Sequence, residues 1–393
     1  MMKRFIALLA LAVALTPFSL MAVKAEAADA DLSLSSEAAV MIDSETGDIL
    51  YQKQAEKSMY PASLTKMATA VYAIENANLD ERVTVSENAA GTEGSSVYLE
   101  EDEDISLKKL LQGLLINSGN DAAVAIAEHI DGSVSQFAST INDYLREQVG
   151  VHDTHFENPN GLFNKDHVTT AKDLAAITRY AMRHDTFREI FGTKELDWHG
   201  ETWDTTLYTH HKLMREDPYD GVVGGKTGFV DESGHTLATA AERDGLKLIV
   251  ITLDVSRKDE AYADTTKLLD DGFDHFEEST IDKGTAYTAG SDDYQTDEKL
   301  TYTHDLDKKV RQDVTEDGEL EISQPDEGVI ASVPLAKAED QTEAKTEKAD
   351  HNAEGKSLLH RNDSLMMVIP LTAVVIGAAG ILFHRKRKRN SFF

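Results

Sequence analysis

The chain of 393 residues contains no cysteine. That absence removes disulfide frameworks, thiolate metal sites and a cysteine nucleophile together. Positive charge is scarce. Lys and Arg number 39 against 70 Asp and Glu, a formal charge of -31, which argues against nucleic acid as a partner. The histidines include the pair His210-His211 but show no H-E-x-x-H spacing, so no metal site is expected. There is no internal repeat. Proline is sparse, at seven residues; with 24 glycines and 28% charged residues the chain reads as globular rather than disordered, and 41% apolar residues suffice for a core.

Long uncharged apolar runs are confined to the two ends. Lys3-Arg4 precede an apolar run from Phe5 to Leu15, and Ala25-Glu26-Ala27 follows, the order of a cleavable signal peptide over residues 1–27. Leu365 to Phe383 is uncharged and mostly aliphatic. At ~1.5 Å rise per residue it spans roughly 28 Å, so a transmembrane helix is expected over 364–383. The basic cluster Arg385-Lys386-Arg387-Lys388-Arg389 falls in the tail 384–393 and places it in the cytoplasm. The body of the chain is therefore expected outside the cell, tethered to the cell membrane through its C-terminal helix.

Between the ends, residues 38–42 and 48–51 read as two strands around the turn Asp43 to Gly47. Helices are expected after Pro61, over 106–116, from Ala122 to Ile130, over 134–149 and over 170–183, the last capped by Thr170. Residues 80–104 read as loops and short strands. After residue 224, two strands flank a turn at Arg243-Asp244-Gly245, and a helix follows over 260–272. Strands at both ends of this unit, with helices between, suggest one sheet joining its termini and a helical layer inserted. From about Glu277 the composition turns polar and acidic, with short strand signals near 300–302, 320–322 and 329–335. Residues 337–363 are poor in apolar side chains and read as an acidic flexible linker.

Three short motifs carry chemistry. In Tyr60-Pro61-Ala62-Ser63-Leu64-Thr65-Lys66-Met67, Pro61 suits a helix entrance, and Ser63 and Lys66, three apart, face the same way. A serine hydroxyl needs a base before it can attack, and a desolvated lysine can be that base. Alone, S-x-x-K is more often a helix start with a solvated lysine. It is followed, however, by Ser118-Gly119-Asn120 and by Lys226-Thr227-Gly228, and a serine-containing triplet with K-T-G in this order is far more specific.

These motifs, with Pro61 to Thr69, Ser118 to Glu128, Asn158-Pro159-Asn160-Gly161-Leu162, Thr170 to Ala175 and Gly225 to Phe229, resemble the D-alanyl-D-alanine carboxypeptidases, the low-molecular-mass penicillin-binding proteins. The resemblance covers roughly residues 35–276. It implies an α/β fold of the β-lactamase/transpeptidase type, with an antiparallel sheet, flanking helices and an inserted helical subdomain. A short β-rich region over 277–336 would follow. It also implies roles. Ser63 would be the nucleophile, Lys66 its base, and Ser118 a proton relay. Asn120, Lys226, Thr227 and Gly228 would bind substrate, and the backbone N–H groups of Ser63 and Phe229 would form the oxyanion hole. The implied partners are peptidoglycan stem peptides and covalently bound β-lactams, and no cofactor is implied. Asn160 stands where such stretches often carry histidine, and Asp166-His167-Val168-Thr169 departs from a usual G-H-Y-S. His235 reads as a strand residue, and Glu157 as part of the carboxypeptidase-like stretch rather than a deacylating carboxylate. A β-lactamase of the same fold and a penicillin-sensing receptor domain are the alternative readings.

Overall fold

The structure, a computed structural model, describes residues 32–337. The signal-peptide, linker, transmembrane and tail expectations lie outside these residues, apart from position 337. Among the described residues no helix is long and apolar enough to cross a membrane.

β1 (Ala38–Asp43) and β2 (Ile49–Lys53) form the opening hairpin. A 3-10 turn, Ala62–Leu64, runs directly into α1 (Thr65–Asn76). The polar stretch that follows holds β3 (Arg82–Thr84), α2 (Glu87–Ala90) and β4 (Asp104–Ser106). The helical layer continues with α3 (Leu107–Ile116), α4 (Asn120–Asp131), α5 (Val134–Tyr144), α6 (Ala171–Ala181) and α7 (Asp185–Phe191). Its ends follow local chemistry. The Ser106 hydroxyl accepts from Lys109 N–H and the Thr170 hydroxyl from Asp173 N–H. Gly132, at φ 78°, closes α4 in the left-handed conformation that favours glycine.

A hairpin that the sequence reading passed over comes next, β5 (Glu195–His199) paired with β6 (Asp204–Tyr208). The chain then returns to the main sheet with β7 (Val222–Val230), β8 (Gly234–Arg243) and β9 (Leu246–Val255), followed by α8 (Lys258–His275). Asp244 and Gly245 turn β8 into β9 with φ of 53° and 95°, the two positive values a tight hairpin turn of this hand requires.

The five-stranded sheet has the order β2-β1-β9-β8-β7, with every pair antiparallel. It joins the first strands of the unit to the last, as the strand pattern suggested. Alternation along each strand feeds two cores. Val40, Ile42, Ile249 and Ile251 pack under helices α1, α3, α4 and α6, whereas Met41, Leu248 and Val250 pack against Leu268 and Leu269 of α8. With both faces covered, β9 buries nearly every residue. The order leaves β7 at one edge, and that edge carries Lys226 to Phe229.

Beyond α8 lie seven strands: β10 (Phe276–Ile281), β11 (Ala286–Ala289), β12 (Asp292–Thr296), β13 (Leu300–Asp305), β14 (Arg311–Val314), β15 (Glu319–Gln324) and β16 (Gly328–Lys337). This is more strand than the three segments expected. A small core of Ile281, Tyr302, Leu320, Ile322 and Val333 holds them. Asp43, at the end of β1, links them to the catalytic sheet. One of its carboxylate oxygens accepts from Glu45 N–H at 2.6 Å, and the other accepts from the Thr303 hydroxyl at 2.6 Å.

The helical layer depends on α3, whose Leu107, Leu110, Leu111 and Leu114 are fully enclosed. Leu114→Ala should lower the free energy of unfolding by about 2–5 kcal/mol, as burial loss and cavity formation add. Urea denaturation of the purified variant measures it.

Candidate active site

The turn that carries Ser63 is built under constraint. Ala62 adopts φ 48° and Ser118 adopts φ 61°, a region non-glycine residues rarely enter. Each such residue costs about 1–3 kcal/mol and persists only where its surroundings hold it. Around Ala62 the holders are explicit. The Thr65 hydroxyl donates to Ala62 O at 2.9 Å, and the Thr236 hydroxyl donates to Pro61 O at 3.0 Å. Gly161, at φ 84°, packs so closely that a Cβ there would overlap the Ala62 carbonyl. On the other side, a Cβ at Gly228 would lie 2.9 Å from Ser63 N, so the edge of β7 passes directly against the nucleophile's backbone.

Ser63 lies in the 3-10 turn rather than in the α-helix itself, and Lys66 is the second residue of α1. Three-residue spacing in a 3-10 turn stacks side chains even more directly than in an α-helix. Lys66 Nζ sits 2.9 Å from Ser63 Oγ, 2.7 Å from Asn120 Oδ1 and 2.6 Å from Asn160 O. Lys66 is wholly buried, and its pKa is held well below the usual value, first by desolvation and then by the charge of Lys226, with Asp121 opposing. A neutral amine has two hydrogens and one lone pair. In the neutral form the two carbonyl oxygens can take the hydrogens, which turns the lone pair toward Ser63 Oγ; in the protonated form all three contacts are donations. That is the arrangement of a serine with its general base.

A second buried lysine completes the network. Lys226 Nζ donates to Ser118 Oγ at 2.9 Å and to Thr227 O at 2.8 Å. Burial lowers its pKa to about 7. The Ser118 segment is pinned by backbone bonds, Gly119 N to Gly113 O at 3.0 Å and Asn120 N to Ser95 O at 2.7 Å. Buried Asp121 accepts from Val97 N at 3.0 Å and from Leu99 N at 3.1 Å, which fastens the neighbouring loop. Ser63, Ser118, Thr227, Gly228 and Phe229 line one cleft of about 660 Å³. Lys66, Asn120 and Lys226 lie buried behind it. The structure thus brings together all the residues singled out from the three motifs. A buried serine–lysine pair beside a second serine–lysine pair, opening on an edge strand, can support acyl transfer.

A family model described as D-alanyl-D-alanine carboxypeptidase, peptidase family S11, matches residues 22–257. The chain belongs to this family. The D-alanyl-D-alanine carboxypeptidase DacF of Bacillus subtilis is 32% identical over 283 residues, which is 70% of this chain and 72% of that protein. DacA of Haemophilus influenzae is 31% identical over 300 residues, again 70% of this chain and 72% of that protein. Among solved structures, penicillin binding protein 5 from Haemophilus influenzae superposes with a TM-score of 0.68 at 26% identity, covering 78% of this chain and 97% of that one. Penicillin binding protein 6B from Escherichia coli gives 0.65 at 26%, covering 78% and 95%. The α/β fold with antiparallel sheets and helices is the one seen in these penicillin-binding proteins.

Within this carboxypeptidase-family fold, sequence reasoning missed two supports. The first is the Asn160 backbone carbonyl, which receives Lys66; the side chain at 160, noted as a departure, takes no part in that bond. The second is His167. Its Nδ1 accepts from Glu157 N–H at 3.0 Å, so Nε2 carries the hydrogen and donates to Thr65 Oγ1 at 2.8 Å. Desolvation, with smaller contributions from His155 and Lys66, lowers the His167 pKa to about 3, which keeps this bond in place across neutral pH. His235 lies on β8 with its ring tilted against Phe229, centroids 4.7 Å apart, in the cleft wall, and no hydrogen bond joins it to Lys66 or Lys226. Among the described residues no cluster of His, Asp and Glu has metal-binding geometry.

The two lysines set opposite limits on pH. Lys66 must be neutral to act as a base, so reactivity rises with pH through its lowered pKa. Lys226 offers positive charge only while protonated, so reactivity toward anionic reagents falls as pH rises above about 7. Acylation of Ser63 by a labelled penicillin should therefore follow a bell-shaped profile in kcat/KM. In Lys226→Arg, whose guanidinium does not titrate in this range, the alkaline limb should move away while the acid limb stays.

Proposed function

We propose that this protein is a serine-type D-Ala-D-Ala carboxypeptidase that removes the terminal D-alanine from peptidoglycan stem peptides, and that penicillins inhibit it by acylating Ser63. One observation carries the reading: the buried Lys66 amine lies 2.9 Å from Ser63 Oγ and within 2.7 Å of two carbonyl oxygens, with no carboxylate among these partners.

Ser63 Oγ attacks the carbonyl between the two D-alanines while its proton passes to Lys66 Nζ. The developing oxyanion is received by the backbone N–H groups of Ser63 and Phe229. As the C–N bond breaks, the proton on Lys66 passes through Ser118, which Lys226 holds at 2.9 Å, to the amine of the leaving D-alanine. Water then attacks the acyl carbonyl and gives a proton to Lys66 Nζ, which returns it to Ser63 Oγ as the ester bond breaks. Lys226 and Thr227 receive the terminal carboxylate. The Asn120 side chain accepts from Lys66 at 2.7 Å and donates one amide hydrogen to Glu93 O at 2.7 Å. Its second amide hydrogen can go to a carbonyl of the substrate. Gly228 keeps the strand edge open to the peptide backbone.

The same reading places the enzyme outside the cell, exported by the segment 1–27 and held by the apolar stretch 364–383 with the basic tail 384–393 inside. Support for this comes from the sequence of those segments.

Purified protein incubated with a pentapeptide ending in D-Ala-D-Ala should release free D-alanine. A labelled penicillin should attach covalently to the wild type and not to Ser63→Ala. With no cysteine to substitute as nucleophile, labelling that survives the substitution removes Ser63 from its role. For the anchor, the full-length protein should stay with membranes in alkaline carbonate, and a chain truncated before Ser364 should be released. Carbonate-soluble full-length protein would mean that the C-terminal segment does not span the bilayer.

A further inference from the structure

The cleft that holds Ser63 also carries a cation that the catalytic network leaves unused. Lys258 is the first residue of α8 and lines this cleft with Thr227, Phe229, His210, Arg215 and His235. It is exposed. The other exposed cations nearby are already neutralised: Arg257 by Asp259 at 2.7 Å, and Arg215 by Glu216 at 3.0 Å. Among the described residues, Lys258 has neither an ion-pair partner nor a side-chain hydrogen bond. In a chain of formal charge -31, an uncompensated ammonium on the wall of the catalytic cleft is a local inversion of sign.

The alternation of β7 shows which part of the site Lys258 faces. Lys226 points to Ser118, so Thr227 and Phe229 project from the opposite face of the strand. On that face Thr227 pairs with Leu237, and Phe229 with His235. Leu237 packs against Tyr262, one helical turn along α8 from Lys258. Lys258 therefore belongs to the same side of the strand as the Thr227 hydroxyl.

Lys226, by contrast, is a poorly equipped anion receptor by itself. It is buried, it spends two donors on Ser118 Oγ and Thr227 O, and its pKa falls to about 7. The histidines of the wall add no charge at neutral pH. Desolvation, helped by Lys226 and Lys258, lowers His210 to about 4, and desolvation with Lys258 lowers His235.

We propose that Lys258 completes the carboxylate receptor begun by Lys226 and Thr227, and that its ammonium group is the reason the cleft prefers a free C-terminal carboxylate to an uncharged end. This rests on the carboxypeptidase reading above. Lys258 is then a specificity residue. It takes no proton from the reacting atoms, and its loss weakens capture of anionic substrates while leaving bond making at Ser63 intact.

The test compares full-length wild type with Lys258→Gln, Lys258→Glu and Lys258→Arg on a peptide ending in D-Ala-D-Ala and on its C-terminal amide. Lys258→Gln should raise KM for the free acid about 3- to 10-fold with kcat nearly unchanged, and should leave the amide unaffected. Lys258→Glu should be worse, Lys258→Arg close to wild type, and added salt should narrow the difference. Equal losses on acid and amide, or no loss on either, overturn the assignment. Acylation by benzylpenicillin and by its methyl ester gives the same contrast without peptide turnover. A wild type that shows this acylation contrast, lost in Lys258→Gln, yet releases no D-alanine would overturn the carboxypeptidase reading and support Lys258 as receptor. Absence of the contrast in both assays overturns the proposal itself.

Discussion

The site depends on removing water from one amine. In solvent, Lys66 would be an ammonium with three hydrogens and no lone pair to offer. Desolvation favours the neutral amine, and Lys226 pushes in the same direction. Many features of the fold serve this single displacement. Helix α1 lies in the centre of the larger core, α4 brings Asn120 and β7 brings Lys226, so the amine is enclosed from three separate elements. The enclosure would be costly if Lys66 lost its polar partners. The two carbonyl acceptors, from Asn120 and Asn160, satisfy its hydrogens without adding negative charge that would hold the proton.

Strain is concentrated at the same place. The residue before the nucleophile and the first residue of the second motif both occupy left-handed backbone, and hydroxyls from Thr65 and Thr236 hold the turn around the first of them. Preorganisation of this kind shifts cost from the reaction to folding. It is consistent with the density of buried hydroxyls and amides near a site that needs only two ionisable groups.

Much of this was legible in the sequence, because motif residues sit at fixed spacings on short local elements. Ser63 and Lys66 share one turn, and Lys226 to Phe229 share one strand. Thr170 announced α6 through its hydroxyl, and Asp244-Gly245 announced the hairpin of β8 and β9. What was not legible has physical reasons. The role of Asn160 belongs to its backbone carbonyl, which every residue type possesses, and His167 acts through a contact 102 positions away in sequence. The hairpin of β5 and β6 did carry a period-two signal, with Trp198 and Leu207 buried between exposed neighbours, but polar and acidic residues around it masked the alternation. Strands β10, β11, β12 and β14 bury few side chains, so the hydrophobic pattern that betrays a strand was nearly absent there.

The carboxylate of Asp43 has a mechanical meaning as well as a structural one. One of its oxygens closes the turn after β1, and the other holds Thr303 of the C-terminal strands. Tension applied to the far end of those strands is therefore shared between the covalent link through α8 and this hydrogen bond at β1. Strands β9 and β8 lie between that point and β7, and each is joined to its neighbours along a full antiparallel ladder. A load that reaches β1 has three antiparallel ladders to cross before it arrives at the edge strand beside Ser63.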